Sequence, residues 1–79
     1  MPYFVYILKC KDKSLYTGIT NNLAKRFEAH KKGTGARYTR SHPPKKIVYS
    51  EKYSNRSRAL KREAEIKRLS RQEKLKLIG

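Results

Sequence analysis

Apolar residues open the chain in a run from Tyr3 to Leu8, and a second run covers Leu15–Thr20. Between them lies the polar turn Lys11-Asp12-Lys13-Ser14. Tyr, Phe, Val, Ile and Thr suit a pleated, half-buried surface, and a short polar gap between two such runs predicts a β-hairpin. Each predicted strand carries a central tyrosine, Tyr6 or Tyr16. Side chains alternate across a strand, so these rings share a face only if opposed residue numbers sum to an even value. The sequence leaves that register open.

Asn21-Asn22 is a good helix start, because asparagine caps exposed amides. The helix is expected from Leu23 to about Lys32, stopping at Gly33. At about 100° per residue, Leu23, Ala24 and Phe27 form its inward stripe. His30 falls within that stripe and Arg26 lies at its edge, so the two are an i,i+4 pair. Taken alone, a helix-end histidine bonded to backbone carbonyls and a solvated arginine account for the pair. Lys31–Pro44, with Gly33, Gly35, Pro43 and Pro44, reads as a loop. Lys46–Tyr53 predicts a third strand, in which Ile47, Tyr49 and Glu51 alternate with Val48, Ser50 and Lys52. Its apolar residues on both faces suit a strand packed between layers and joined antiparallel to the hairpin. A further helix is expected from Ser54-Asn55 to about Leu69, with Ala59, Leu60, Ala64, Ile66 and Leu69 inward. Glu63 falls inside this face and Glu65 points away from it. Ser70-Arg71-Gln72-Glu73 is a capping box, which starts a short closing helix carrying Leu75, Leu77 and Ile78. The fold expected is α+β: a small three-stranded antiparallel sheet flanked by helices, in the order β-β-α-β-α-α, forming one domain over residues 1–79.

Charge changes the picture from fold to partner. Lys and Arg number 21 against 6 Asp and Glu, a net charge of +15. Such a balance points to a polyanion. Nucleic acid is favoured over an anionic membrane, because the aromatic residues sit in strands and not on a basic amphipathic helix. Lys31, Lys32, Arg37 and Arg40 supply phosphate contacts in the predicted loop, Tyr38 a surface for a base, and the glycines a close backbone approach. Cys10 is the single cysteine. It forms no internal disulfide, and with two histidines it is too little for a structural zinc site of four ligands. The apolar N-terminus lacks a basic leader and is too short to cross a bilayer, so a soluble, cytoplasmic protein is expected. A carboxylate on a buried helix face is costly unless paired, protonated or bound to a cation. Glu63 therefore reads either as a salt bridge to one of the arginines or as a metal ligand. It is the one acidic residue expected on an inward face, so a carboxylate-rich two-metal site is excluded.

Phe4-Val5-Tyr6 and Tyr16-Thr17-Gly18 resemble the paired signatures of the GIY-YIG nuclease domain. Phe4 and Val5 stand where the first signature has glycine and isoleucine. GIY-YIG domains carry an arginine on the helix after the hairpin, some a histidine one turn later, and a metal-binding glutamate on a later helix. Arg26, His30 and Glu63 match those positions. Gly35-Ala36-Arg37-Tyr38-Thr39 is similar to the loop of small single-domain members and of the structure-specific branch. The resemblance implies a metal-dependent endonuclease hydrolysing phosphodiester bonds in DNA, in the repair or recombination of branched or damaged DNA. It implies Tyr6, Tyr16, Arg26 and His30 as catalytic residues and one divalent ion, Mg²⁺ or Mn²⁺, on Glu63. Family members often rely on companion domains, so a protein partner for targeting is a further expectation. The alternative is a non-catalytic DNA- or RNA-binding module on the same scaffold.

Overall fold

The computed structural model describes every residue from Met1 to Gly79. Its elements run β1 (Tyr3–Cys10), β2 (Leu15–Thr20), α1 (Leu23–Lys31), α2 (Arg37–Ser41), β3 (Pro44–Tyr53), α3 (Arg56–Lys67) and α4 (Arg71–Ile78). The sheet has the order β2-β1-β3 and both pairings are antiparallel. The α+β class and the three-stranded sheet are as expected, with one helix added.

β1 is central because its residues are apolar on both faces. Tyr6, Leu8 and Cys10 pack with Tyr16, Leu23, Phe27 and Ile47 on the α1 side. Val5 and Ile7 pack with Ala59 and Ile66 of α3, and with Leu77 and Ile78 of α4, on the other side. In the turn, the Asp12 carboxylate accepts from the Ser14 amide (3.0 Å) and hydroxyl (2.6 Å), while Lys13 takes a left-handed φ of 72°.

The helix ends follow their polar residues. Asn22 Oδ1 accepts from the Lys25 amide at 3.0 Å, and Asn55 Oδ1 from that of Arg58 at 2.9 Å. The Ser70–Glu73 capping box forms in both directions. Gly33 ends α1 with a φ of +79°, a conformation that costs glycine little because it has no Cβ.

Four expectations need correction. Lys31–Pro44 is not a continuous loop: it contains α2, and β3 begins already at Pro44. The N-cap of α2, Ala36, makes no side-chain cap bond, so the sequence carries no start signal; packing of the buried Thr39 against His30 holds the helix instead. Second, β3 does not alternate strictly. Ile7 opposes Tyr49 but Leu8 opposes Ile47, so Val48 is the extra residue of a β-bulge. Ile47 thereby joins the Tyr6 face, while Val48 and Tyr49 pack on the α3 face. Third, Ala24, Leu60 and Ala64 are exposed; α3 buries only the narrow stripe of Ala59 and Ile66. Fourth, Glu63 is not the only inward carboxylate. Glu51 is mostly buried and accepts from Tyr53 (2.6 Å), from Tyr49, and from Arg62 Nε (2.9 Å) and Nη2 (3.2 Å). Burial alone would raise its pKa, but Arg62 and the two phenols outweigh burial and hold the carboxyl below the usual range.

Candidate active site

Tyr6 opposes Gly18 and Leu8 opposes Tyr16. These pairs sum to 24, an even number, so the two tyrosines lie on one face; their ring centroids are 6.4 Å apart. Gly18 is needed for space. A Cβ there would stand 2.7 Å from Tyr6 Oη and 3.1 Å from Tyr16 Cε2, so the Tyr6 ring can lie across β2 only because that position has no side chain.

The α1 stripe brings His30 onto the same face. Tyr6 Oη is 2.7 Å from His30 Nε2, and the imidazole is wedged edge-on against both phenol rings. Tyr6 and His30 are each 1% exposed. On the far side of the ring, His30 Nδ1 lies 2.6 Å from Thr39 Oγ1, and that hydroxyl donates to the Ala36 carbonyl at 3.2 Å. A hydroxyl has one proton to give. With it directed to Ala36, Thr39 accepts from His30 Nδ1–H, which leaves Nε2 as the acceptor for the Tyr6 O–H. Thr39 is the residue that sequence reasoning missed: it entered only as part of a loop motif, and only the α1–α2 contact shows its role.

Burial pushes the Tyr6 phenol above its ordinary pKa; nearby Arg26 works against the rise, while Tyr16 and Glu63 add to it. Burial, then the Arg26 charge, lowers His30, so the imidazole is neutral at pH 7 and free to accept a proton. Arg26 Nη2 donates to the Gly35 carbonyl at 2.9 Å, but its Nε is buried without a partner. Such an atom normally has one. Arg26 also lines an open groove of about 250 Å³ with Asn22, Lys25 and Ala29. Gly35 serves this arrangement rather than a phosphate, since a Cβ on it would meet His30 Nδ1 at 2.5 Å.

Glu63 joins from α3. Its side chain is 18% exposed and its carboxylate lies 3.4 Å from Lys67 Nζ, a lysine partner one turn on and not an arginine. Its charge is felt at Tyr6. No three His, Cys, Asp or Glu residues gather anywhere in the chain. The donors present therefore suit a sparse oxygen site, with one carboxylate and the remaining positions left to water or phosphate.

The predicted nucleic-acid contacts divide. Tyr38 stacks between Tyr16 (5.9 Å) and His42 (4.0 Å) and is 37% exposed. Arg37 and Arg40 stand exposed on α2, and Lys32 at the end of α1. Lys31 pairs with Glu28 at 3.6 Å and lines a separate cleft with Lys11, Phe27 and Lys45.

A two-signature hairpin with its tyrosines on one face, an arginine and histidine from the next helix, and a glutamate from a later one define a GIY-YIG fold. The family model of the GIY-YIG catalytic domain matches residues 2–76, and the chain belongs to this family, whose members are endonucleases that generally use divalent metal ions. Within it, the relatives are small UPF0213 proteins. The one from Clostridium perfringens is 59% identical over 76 residues, covering 96% of this chain and 82% of that one; the one from Staphylococcus haemolyticus is 53% identical, covering 96% and 93%. The solution NMR structure of the UPF0213 protein from Bacillus halodurans aligns over 99% of this chain and 83% of its own, with a TM-score of 0.63 and 41% identity. A solution NMR structure of an E. faecalis protein aligns over the same shares with a TM-score of 0.66 and 37% identity.

Proposed function

We propose that residues 1–79 act as one domain that hydrolyses phosphodiester bonds in DNA, on branched or damaged substrates. The observation that carries this reading is the directed chain Tyr6–His30–Thr39 beside an arginine with an unpartnered Nε. Hydrolysis needs a base for the attacking water and positive charge at the phosphate. A phenol with a pKa of about 10 is a poor base at pH 7. Tyr6 becomes a useful one if its own proton passes to His30 Nε2 as it takes the water's proton. The new P–O bond forms, the bond to the leaving oxygen breaks, and His30 ends as the imidazolium. Thr39 holds the ring in the accepting tautomer. Arg26, which lines the groove, offers its guanidinium to a phosphate oxygen in the fork geometry that lysine lacks. Because Tyr6 is covered, the phosphate and its attacking water enter together beside the half-buried Tyr16 and the Arg26 groove, the side from which the water reaches Tyr6 Oη. Glu63 would hold a single Mg²⁺ or Mn²⁺, exchanging Lys67 for it, and the bound ion would neutralise charge on the phosphate and the leaving oxygen.

The test is a panel of branched, nicked, single-stranded and duplex substrates with Mg²⁺ or Mn²⁺. Wild type is expected to cut at least one. Glu63→Gln is expected to bind it and leave it intact. A wild type that binds but cuts none would overturn the reading in favour of a non-catalytic binding module.

A further inference from the structure

On the sheet face opposite Tyr6, a second group of cations surrounds an apolar floor. Lys9 opposes Lys46 across β1 and β3 and Leu15 across β1 and β2. With Lys13 and Arg71 these two lysines line a cavity of about 250 Å³, floored by Leu15 and Val48 from the sheet and Ile78 from α4. Arg71 Nη2 donates to the Lys13 carbonyl at 2.8 Å, which pins the closing helix to the hairpin turn at this cavity.

Like charges directly opposed across a ladder cost stability, and a carboxylate between them would relieve the cost. The chain's six acidic side chains are all engaged elsewhere. Asp12 holds Ser14 and faces His42, Glu28 pairs with Lys31, Glu51 and Glu65 with Arg62, Glu63 with Lys67, and Glu73 caps Ser70. Four cations are thus gathered in one cleft with no internal counter-charge.

We propose that this cleft holds phosphates of a second segment of nucleic acid, distinct from the segment at Tyr6 and His30. The proposal rests on nucleic acid being the substrate, not on its being cut. Charge complementarity selects a polyanion, and the apolar floor gives a base or sugar a dry surface. The molecule measures 30 × 28 × 19 Å along its principal axes. At 3.4 Å per step, a duplex of about nine base pairs matches the long axis. Such a rigid duplex lies along one face only, whereas two arms of a junction reach both.

The experiment compares a nine-base-pair duplex with a three-armed junction by fluorescence anisotropy in EDTA, so that no cleavage intervenes. Lys9→Gln/Lys46→Gln removes the charges and keeps the side-chain stems. Junction affinity is expected to fall about tenfold and duplex affinity less than twofold. The salt slope on the junction should become less negative by about 1.8, two phosphate contacts' worth. A control pair, Lys52→Gln/Lys76→Gln, removes two exposed charges elsewhere and is expected to leave the difference between junction and duplex intact. Lys46→Gln alone should give about half the loss and serves if the double variant does not fold. Unchanged junction affinity, or an equal loss in the control pair, overturns the proposal. So does loss of binding to vesicles of anionic phospholipid with nucleic-acid binding retained. Because cutting plays no part in these readouts, a wild type without hydrolytic activity would sink the nuclease reading and leave this one standing.

Discussion

Gly18→Ala is the most informative single substitution. Gly18 does not take a positive φ, so the backbone alone would favour alanine by about 0.5–1 kcal/mol. Space decides otherwise. The new methyl would stand 2.7 Å from Tyr6 Oη and 2.9 Å from its Cζ, against 3.4 Å or more for ordinary contact. The ring has to move by about 0.7 Å, which disturbs the 2.7 Å bond between Tyr6 Oη and His30 Nε2. Overpacking of this kind costs about 1–3 kcal/mol and the lost hydrogen bond about 1. A net loss of about 2 kcal/mol remains, which lowers Tm by about 8–16 °C in a chain of this size. A shift near 1 Å at a reacting group costs about 10²-fold in rate, so cleavage should fall far more than binding. Circular dichroism melting and single-turnover cleavage read the two effects. In a Tyr6→Phe background, which removes the nearest contact atom, the stability penalty of alanine should shrink. A Gly18→Ala protein as stable as wild type, with no dependence on Tyr6, would refute the packing argument.

Two further predictions concern ionisation. His30 has its pKa lowered by burial and by Arg26, so the unfolded chain takes up that proton first as the pH falls. Its contribution to stability is complete above about pH 6.5 and is lost as the pH drops from there through the folded value, at no more than about 1.4 kcal/mol per pH unit. Cleavage should decline over the same acid limb, and an imidazole NMR titration with an inflection above 6.5 would contradict both. Arg62→Ala should destabilise the protein by about 1.5–3 kcal/mol at pH 7, because Glu51 then keeps only its two phenol donors. Since Glu51 is held below the usual carboxylate range, that difference should shrink as the pH falls below the ordinary glutamate value of about 4.3 and on through the lower folded one. Urea unfolding at pH 7 and pH 3 checks it.

How much of this was legible in the chain depends on the range of the interactions. The hairpin, α1, α3 and the closing helix announce themselves through local polar caps and apolar runs. The register of Tyr6 and Tyr16 does not, because either parity satisfies the same composition, and only pairing with Gly18 fixes it. α2 was invisible for a related reason: five residues with no cap are held by one buried threonine on a distant histidine. The bulge at Val48 overturned a simple alternation that nothing in Lys46–Tyr53 contradicts. Glu51 reads as an ordinary solvent-facing acid until Arg62, eleven residues on, is folded over it. Tyr6, Arg26, His30 and Glu63 were named through family resemblance; their mutual geometry, and Thr39 behind them, required the fold.

β1 supplies the central rung of both apolar clusters, with Tyr6 and Leu8 on one side and Val5 and Ile7 on the other. The two layers therefore share one backbone, and neither can come apart without freeing the strand that anchors its neighbour. Such a chain unfolds as a unit. The layer bearing Tyr6 and the layer bearing Lys9 rise and fall together in population, so damage to either is registered by both.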